Sequence, residues 1–134
     1  MKSYLFAIAV AAATLFGQGV LAQPITARVT MEGRTITVQP DPIEVRRARG
    51  AVVIRWELPA GANYSFDPQG IVVNGQQLGG QLRPQNQIMH CGGGPRHITC
   101  ANSNSGRGTF KYTVRLLDAN RQLVEKDPLI VNIE

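Results

Sequence analysis

Thr109-Phe110-Lys111-Tyr112-Thr113-Val114-Arg115-Leu116 alternates apolar and polar residues without a fault. A strand turns successive side chains to opposite faces, so this octapeptide reads as a half-buried strand with Phe110, Tyr112, Val114 and Leu116 inward and Lys111, Thr113 and Arg115 outward. The same period of two governs Ala51-Val52-Val53-Ile54-Arg55-Trp56-Glu57-Leu58, where Trp56 shares its face with Val52, Ile54 and Leu58 and is expected in the core. No segment after residue 22 carries a long helical period. Valine, isoleucine and threonine recur between glycine, proline and asparagine turns, so the chain is expected to be all-β.

Outward from these two strands, Ile25 to Thr30 and Thr35 to Gln39 flank Glu32-Gly33 as a hairpin. Pro40-Asp41-Pro42 follows, and proline's missing amide confines such a stretch to a sheet edge or a crossover between sheets. Arg46-Arg47-Ala48-Arg49-Gly50 reads as a solvated turn. Asn63 to Phe66 is expected to be a short strand, Asp67-Pro68-Gln69-Gly70 a turn, and Ile71-Val72-Val73 a strand closed by a hairpin at Asn74-Gly75. Gln76 to Gln87 shows no period and reads as a loop or a weak edge. Ile88 to Cys91 and His97 to Cys100 flank Gly92-Gly93-Gly94-Pro95-Arg96 as a hairpin, Asn102 to Gly108 is a loop, and Leu129 to Ile133 is the last strand.

Short strands at this spacing predict a two-sheet antiparallel sandwich. Gly108-Thr109-Phe110-Lys111-Tyr112-Thr113-Val114 resembles the penultimate strand of immunoglobulin-like and cupredoxin-like domains, and Asp127-Pro128-Leu129-Ile130-Val131 is similar to their final strand. The likeness extends over most of residues 23 to 134, also in the general manner of small exported bacterial proteins, and it implies a fold without naming an activity.

Residues 1 to 22 have a different character. Lys2 precedes an apolar run from Leu5 to Phe16, and Val20-Leu21-Ala22 places small residues where a signal peptidase cuts. These are the parts of a secretory signal peptide, and the run is too short for a membrane span. The expectation is therefore a domain of residues 23 to 134, periplasmic or secreted, with no transmembrane segment after cleavage. An oxidising destination makes a disulfide between Cys91 and Cys100, the only cysteines, the expected state.

The formal charge of +5, which becomes +4 without Lys2, rests almost wholly on arginine. Basic residues are scattered and no aromatic interleaving marks a nucleic-acid face, so no nucleic-acid partner is expected. Blue copper fails on position: its Cys, His and Met ligands cluster after the penultimate strand, and Val114 to Val124 contains none of them. A different metal-handling site, for copper or zinc, could draw on Met89, His90 and His97, but His90 and Cys91 as strand neighbours point to opposite faces.

No enzyme is expected. Ser65, Ser103 and Ser105 lie in no Gly-x-Ser-x-Gly elbow, the carboxylates are dispersed, and Gly92-Gly93-Gly94 lacks the Lys-Ser/Thr of a phosphate cradle. The reading is a non-enzymatic binding or accessory module without a cofactor, contacting an unidentified protein or an anionic ligand. Its surface is expected on Gln76 to Gln87 and Asn102 to Gly108, with the Cys91 to Cys100 segment beside them and Arg83, Arg96 and Arg107 supplying forked hydrogen bonds.

Overall fold

A computed structural model describes residues 23–134. The signal-peptide reading of residues 1–22 lies outside them. Eleven strands follow one another among the described residues: β1 (Ile25–Glu32), β2 (Thr35–Gln39), β3 (Ile43–Arg46), β4 (Val52–Glu57), β5 (Ser65–Leu78), β6 (Gln81–Arg83), β7 (Ile88–Gly93), β8 (His97–Asn102), β9 (Gly108–Leu117), β10 (Leu123–Lys126) and β11 (Leu129–Ile133). A single 3-10 turn, Arg47–Arg49, joins β3 to β4.

Two sheets result. One runs β2-β1-β4-β8-β7 and the other β3-β11-β9-β5-β6, with β10 also on β9. The all-β sandwich is as the alternation predicts, but the sheets are mixed: β1 pairs β4 in parallel, and β11 pairs β3 in parallel. The cause is the crossover. Pro40-Asp41-Pro42, with cis peptide bonds before both prolines, carries the chain from β2 in the first sheet to β3 in the second. The chain then returns through Arg47–Arg49 to lay β4 beside β1 in the same direction. Such a parallel pair needs a long excursion, and β2 and β3 provide it.

Inward residues of both sheets form one apolar cluster containing Val29, Ile43, Ile54, Trp56, Phe110, Tyr112, Leu116 and Ile130. Trp56 and Tyr112, from facing sheets, pack with ring centroids 5.2 Å apart and planes tilted by 57°, a geometry that aromatic quadrupoles favour.

The stretch from Ser65 to Leu78 corrects the sequence reading. It is one strand, paired along its length with β9. Phe66 faces Leu116 and Ile71 faces Val114, so Asp67 to Gly70 loop out opposite Arg115 instead of reversing the chain. Pro68, with no amide to contribute, suits a residue outside the ladder. Asn74-Gly75 is likewise a bulge, between the pairs Val73–Tyr112 and Gly75–Lys111, and Asn74 Nδ2 donates to Thr113 Oγ1 at 2.8 Å. The reversal comes later, at Gly79-Gly80, whose φ values of 56° and 83° suit a two-residue hairpin with Leu78 facing Gln81. Within the stretch read as a loop or a weak edge, β6 is a short edge strand.

A third bulge, in β7, accounts for the disulfide. Ile88 faces Asn102 and Met89 faces Ala101, yet Gly92 faces Thr99, so one extra residue sits between. His90, at φ 59°, takes up the slack. With that residue inserted, the half-buried Cys91 meets the buried Cys100 to form the disulfide.

Candidate functional site

Strand register sorts the loops into two ends. β8 finishes at Asn102 opposite Val52, while β9 starts at Gly108 opposite Asn132, and Ile133 faces Arg46. The turn Arg47–Arg49, the Asn102 to Gly108 loop and the Gly79-Gly80 hairpin therefore share one end. At the other lie the β7–β8 turn, the β1–β2 hairpin and the β9–β10 turn.

The shared end is held by amides. Asn102 Nδ2 donates to Asn132 Oδ1 at 2.8 Å, and Asn132 Nδ2 donates to Gln87 Oε1 at 3.1 Å. Asn104, buried and at φ 53°, donates from Nδ2 to the Arg46 and Gly50 carbonyls at 2.9 and 3.0 Å. These bonds tie the loop to the basic turn and satisfy polar groups removed from water. The segment expected to be a recognition loop is thus built on a buried polar frame that leaves Arg107 exposed where the loop enters β9.

Arg46, Arg47 and Arg49 are exposed on the turn, Arg107 on the loop and Arg83 on β6. Arg83 faces Gln76, which in turn faces Phe110, two residues into β9. Among the described residues the ion pair at this end is Arg47 with Glu134 at 3.8 Å, with both side chains largely exposed. The remaining ion pairs, Arg34–Asp118, Arg55–Glu57, Lys111–Asp127 and Arg115 with Asp67 and Glu125, lie on the sheet faces or toward the opposite end. Positive charge is therefore spread across one end, from the β3 edge toward the β6 edge, and sparsely neutralised there.

Arg96 does not join it. It lies at the opposite end of β8, and its exposed guanidinium lies across the β4–β5 connection: Nη2 donates to the Pro59 carbonyl at 2.7 Å, and Nη1 to those of Tyr64 and Ala62 at 2.9 and 3.3 Å. It clamps the β4–β5 connection, at the end of the sandwich opposite Arg107, so the two do not share the single surface, with the Cys91 to Cys100 segment beside the loops, that the sequence reading expects. Of the three arginines singled out in sequence, Arg107 lies at the same end as Arg46, Arg47 and Arg49, whereas Arg83, on the β6 edge and level with Ile43, is four strands, about 19 Å, across the sheet from β3. The triplet Arg46, Arg47 and Arg49 reads from sequence as a solvated turn, and the structure forms an exposed turn there. Its density of arginine was the available signal.

The alternative metal ligands do not converge either. Met89 faces Ala101, whereas His97 lies four residues along β8, about 13 Å at strand rise. The cysteines are bonded to each other, and no group of three or more His, Cys, Asp or Glu among the described residues is placed to hold a metal ion.

A cleft of about 340 Å³ opens between β5 and β7, where the Asp67 to Gly70 bulge overhangs Ile71, Ile88, Ile98 and the disulfide at Cys91. Its lining residues are apolar or amide-bearing and include no titratable side chain. On its rim Gln85 closes the outer edge of β7: its Oε1 accepts from the Ile88 amide and its Nε2 donates to the Ile88 carbonyl, each at 2.8 Å. Tyr112 is displaced from its ordinary titration range. Burial pushes its phenol well upward, the hydrogen bond from Trp56 opposes the rise, and the Asp41 carboxylate adds to it. That group belongs to the core.

No helix among the described residues is long and apolar enough to cross a membrane. Neither the protein-family models nor the curated proteins contain a match to this chain.

Proposed function

We propose that this protein is an exported, non-enzymatic binding module that holds an anionic partner against its arginine-rich end. The observation carrying this reading is the placing of Arg46, Arg47, Arg49 and Arg107 at one end of the sandwich, with Arg83 toward it on the far edge of the same sheet and Glu134 as the paired carboxylate among the described residues. Guanidinium groups held on a rigid scaffold bind carboxylates, sulfates and phosphates through forked, charge-assisted bonds. The amide frame of Asn102, Asn104 and Asn132 supports the same role, because it fixes the loops that carry the charges.

Two further observations favour a binder over a catalyst. The cleft between β5 and β7 has no acid, base or nucleophile in its lining. Ser103 and Ser105 share a 3.3 Å hydroxyl contact, and the histidines sit on a different hairpin. The disulfide fits a non-cytoplasmic, oxidising compartment, which for the exported protein means the periplasm or the exterior.

Retention on immobilised polyglutamate and on a sulfated polysaccharide tests the reading. Wild type is expected to elute at clearly higher salt than an Arg46→Ala/Arg47→Ala/Arg49→Ala variant or an Arg83→Ala/Arg107→Ala variant, while Arg96→Ala elutes with wild type. Failure of wild type to be retained on either matrix near physiological salt, or equal elution of all variants, overturns it.

A further inference from the structure

We propose that the arginine-rich end docks on an anionic phospholipid surface, with the Gly79-Gly80 hairpin tip pressed into the headgroup layer. This rests on the reading above and names its partner. The added observation is apolar. Leu78 and Leu82, at 51% and 48% exposure, are the most exposed large hydrophobic residues described, and both stand beside the tip. Leu78 faces Gln81 and Leu82 faces Gln77, so they occupy opposite faces of the hairpin. Its outer strand is an edge of three residues. Val53 and Met89, each 44% exposed, lie toward the same end on neighbouring rows, both facing Ala101.

A soluble polyanion would engage the arginines and leave two leucines in water. A bilayer receives both. Interfacial binding combines apolar side chains at the headgroup–acyl boundary with cationic groups on lipid phosphates. Leu78 and Leu82 supply the first, and Arg83 and Arg107 beside them supply the second. Glycine at both tip positions keeps the wedge narrow and free of charge.

The test is co-sedimentation of the exported chain with phosphatidylcholine vesicles containing or lacking one-third phosphatidylglycerol, with soluble polyglutamate and a sulfated polysaccharide as parallel arms. Binding is expected to the anionic vesicles only and to fall with salt. It should weaken by about fivefold for each of Arg83→Ala and Arg107→Ala, and by roughly tenfold for Leu78→Gln/Leu82→Gln. A Leu78→Trp variant should show blue-shifted emission on the anionic vesicles. Urea unfolding of each variant checks that the fold is retained.

Retention on the polyanions with no vesicle binding, or vesicle binding unchanged by the leucine substitutions, overturns the membrane assignment and leaves the anionic-partner reading standing. Absence of binding in every arm overturns both.

Discussion

Trp56 Nε1 donates a 3.0 Å hydrogen bond to the Tyr112 hydroxyl, joining the middle strands of the two sheets at their most buried point. A buried indole N–H needs a partner, and Tyr112 supplies it from the opposite layer. The pair therefore sets both the spacing of the sheets and the orientation of the largest side chain in the core.

Tyr112→Phe should cost about 1 to 3 kcal/mol by leaving the indole N–H unpaired, with little change in packing volume. Trp56→Ala or Phe110→Ala should cost about 3 to 5 kcal/mol. Lys111→Ala, on the outward face with its partner Asp127 at 3.9 Å, should change stability by less than about 1 kcal/mol. Urea unfolding measures all four. Equal losses at Lys111 and Phe110 would contradict the inward and outward assignment of β9.

Alkaline pH should destabilise the fold through the same tyrosine. In the unfolded chain a phenol releases its proton near pH 10, whereas burial holds the proton on Tyr112 to higher pH. The folded state then binds more protons than the unfolded one. The contribution is fully present below the unfolded value and is lost as pH climbs toward the folded one, by about 1.4 kcal/mol per unit. Comparing unfolding midpoints at pH 8 and 11, wild type should lose more stability than Tyr112→Phe; parallel losses would show that other groups carry the effect.

Reducing the Cys91–Cys100 bond, with a sequence separation of nine, should lower stability by about 2 to 3 kcal/mol in the chain-entropy account. Thermal unfolding with and without reductant measures it. A Cys91→Ser/Cys100→Ser variant should show the same loss, insensitive to reductant. No difference between oxidised and reduced protein would mean that the β7–β8 hairpin is held without the bond.

Arg96→Ala should lower stability by about 1 kcal/mol, because three backbone carbonyls at the β4–β5 connection lose a charged donor. Arg96→Lys should recover only part, since an ammonium lacks the planar fork. Hydrogen exchange is expected to quicken around Ala62 to Phe66 in the alanine variant. Unchanged exchange there would show that the clamp is dispensable.

Where one physical cue acted alone, the sequence was readable. Period-two alternation gave β4 and β9 and their inward aromatics, the expected pairing of the only two cysteines is present, and the two prolines marked a real crossover. Competing cues produced the errors. Asn74-Gly75 has turn chemistry, but its neighbours already pair with β9, and the ladder on both sides outweighs a dipeptide preference when Gly79-Gly80 offers the reversal four residues later. The four-residue β3 was hidden between prolines and arginines, too short to show a period. The parallel pairings could not be read because they depend on which sheet each excursion joins. Arg96 and Arg107 look alike in sequence; only the three carbonyls around one of them separate a clamp from a free charge.

The outer edge of β7 also governs how one copy of the chain can meet another. At Ile88 the hydrogen-bonding position an incoming strand would use is already taken by the Gln85 amide, and two residues on the His90 bulge breaks the straight run such a strand would follow. Neighbouring copies therefore meet no continuous ladder there. A single glutamine side chain terminates the growth of the sheet, blocking at that edge the route by which open sandwiches add strands and polymerise.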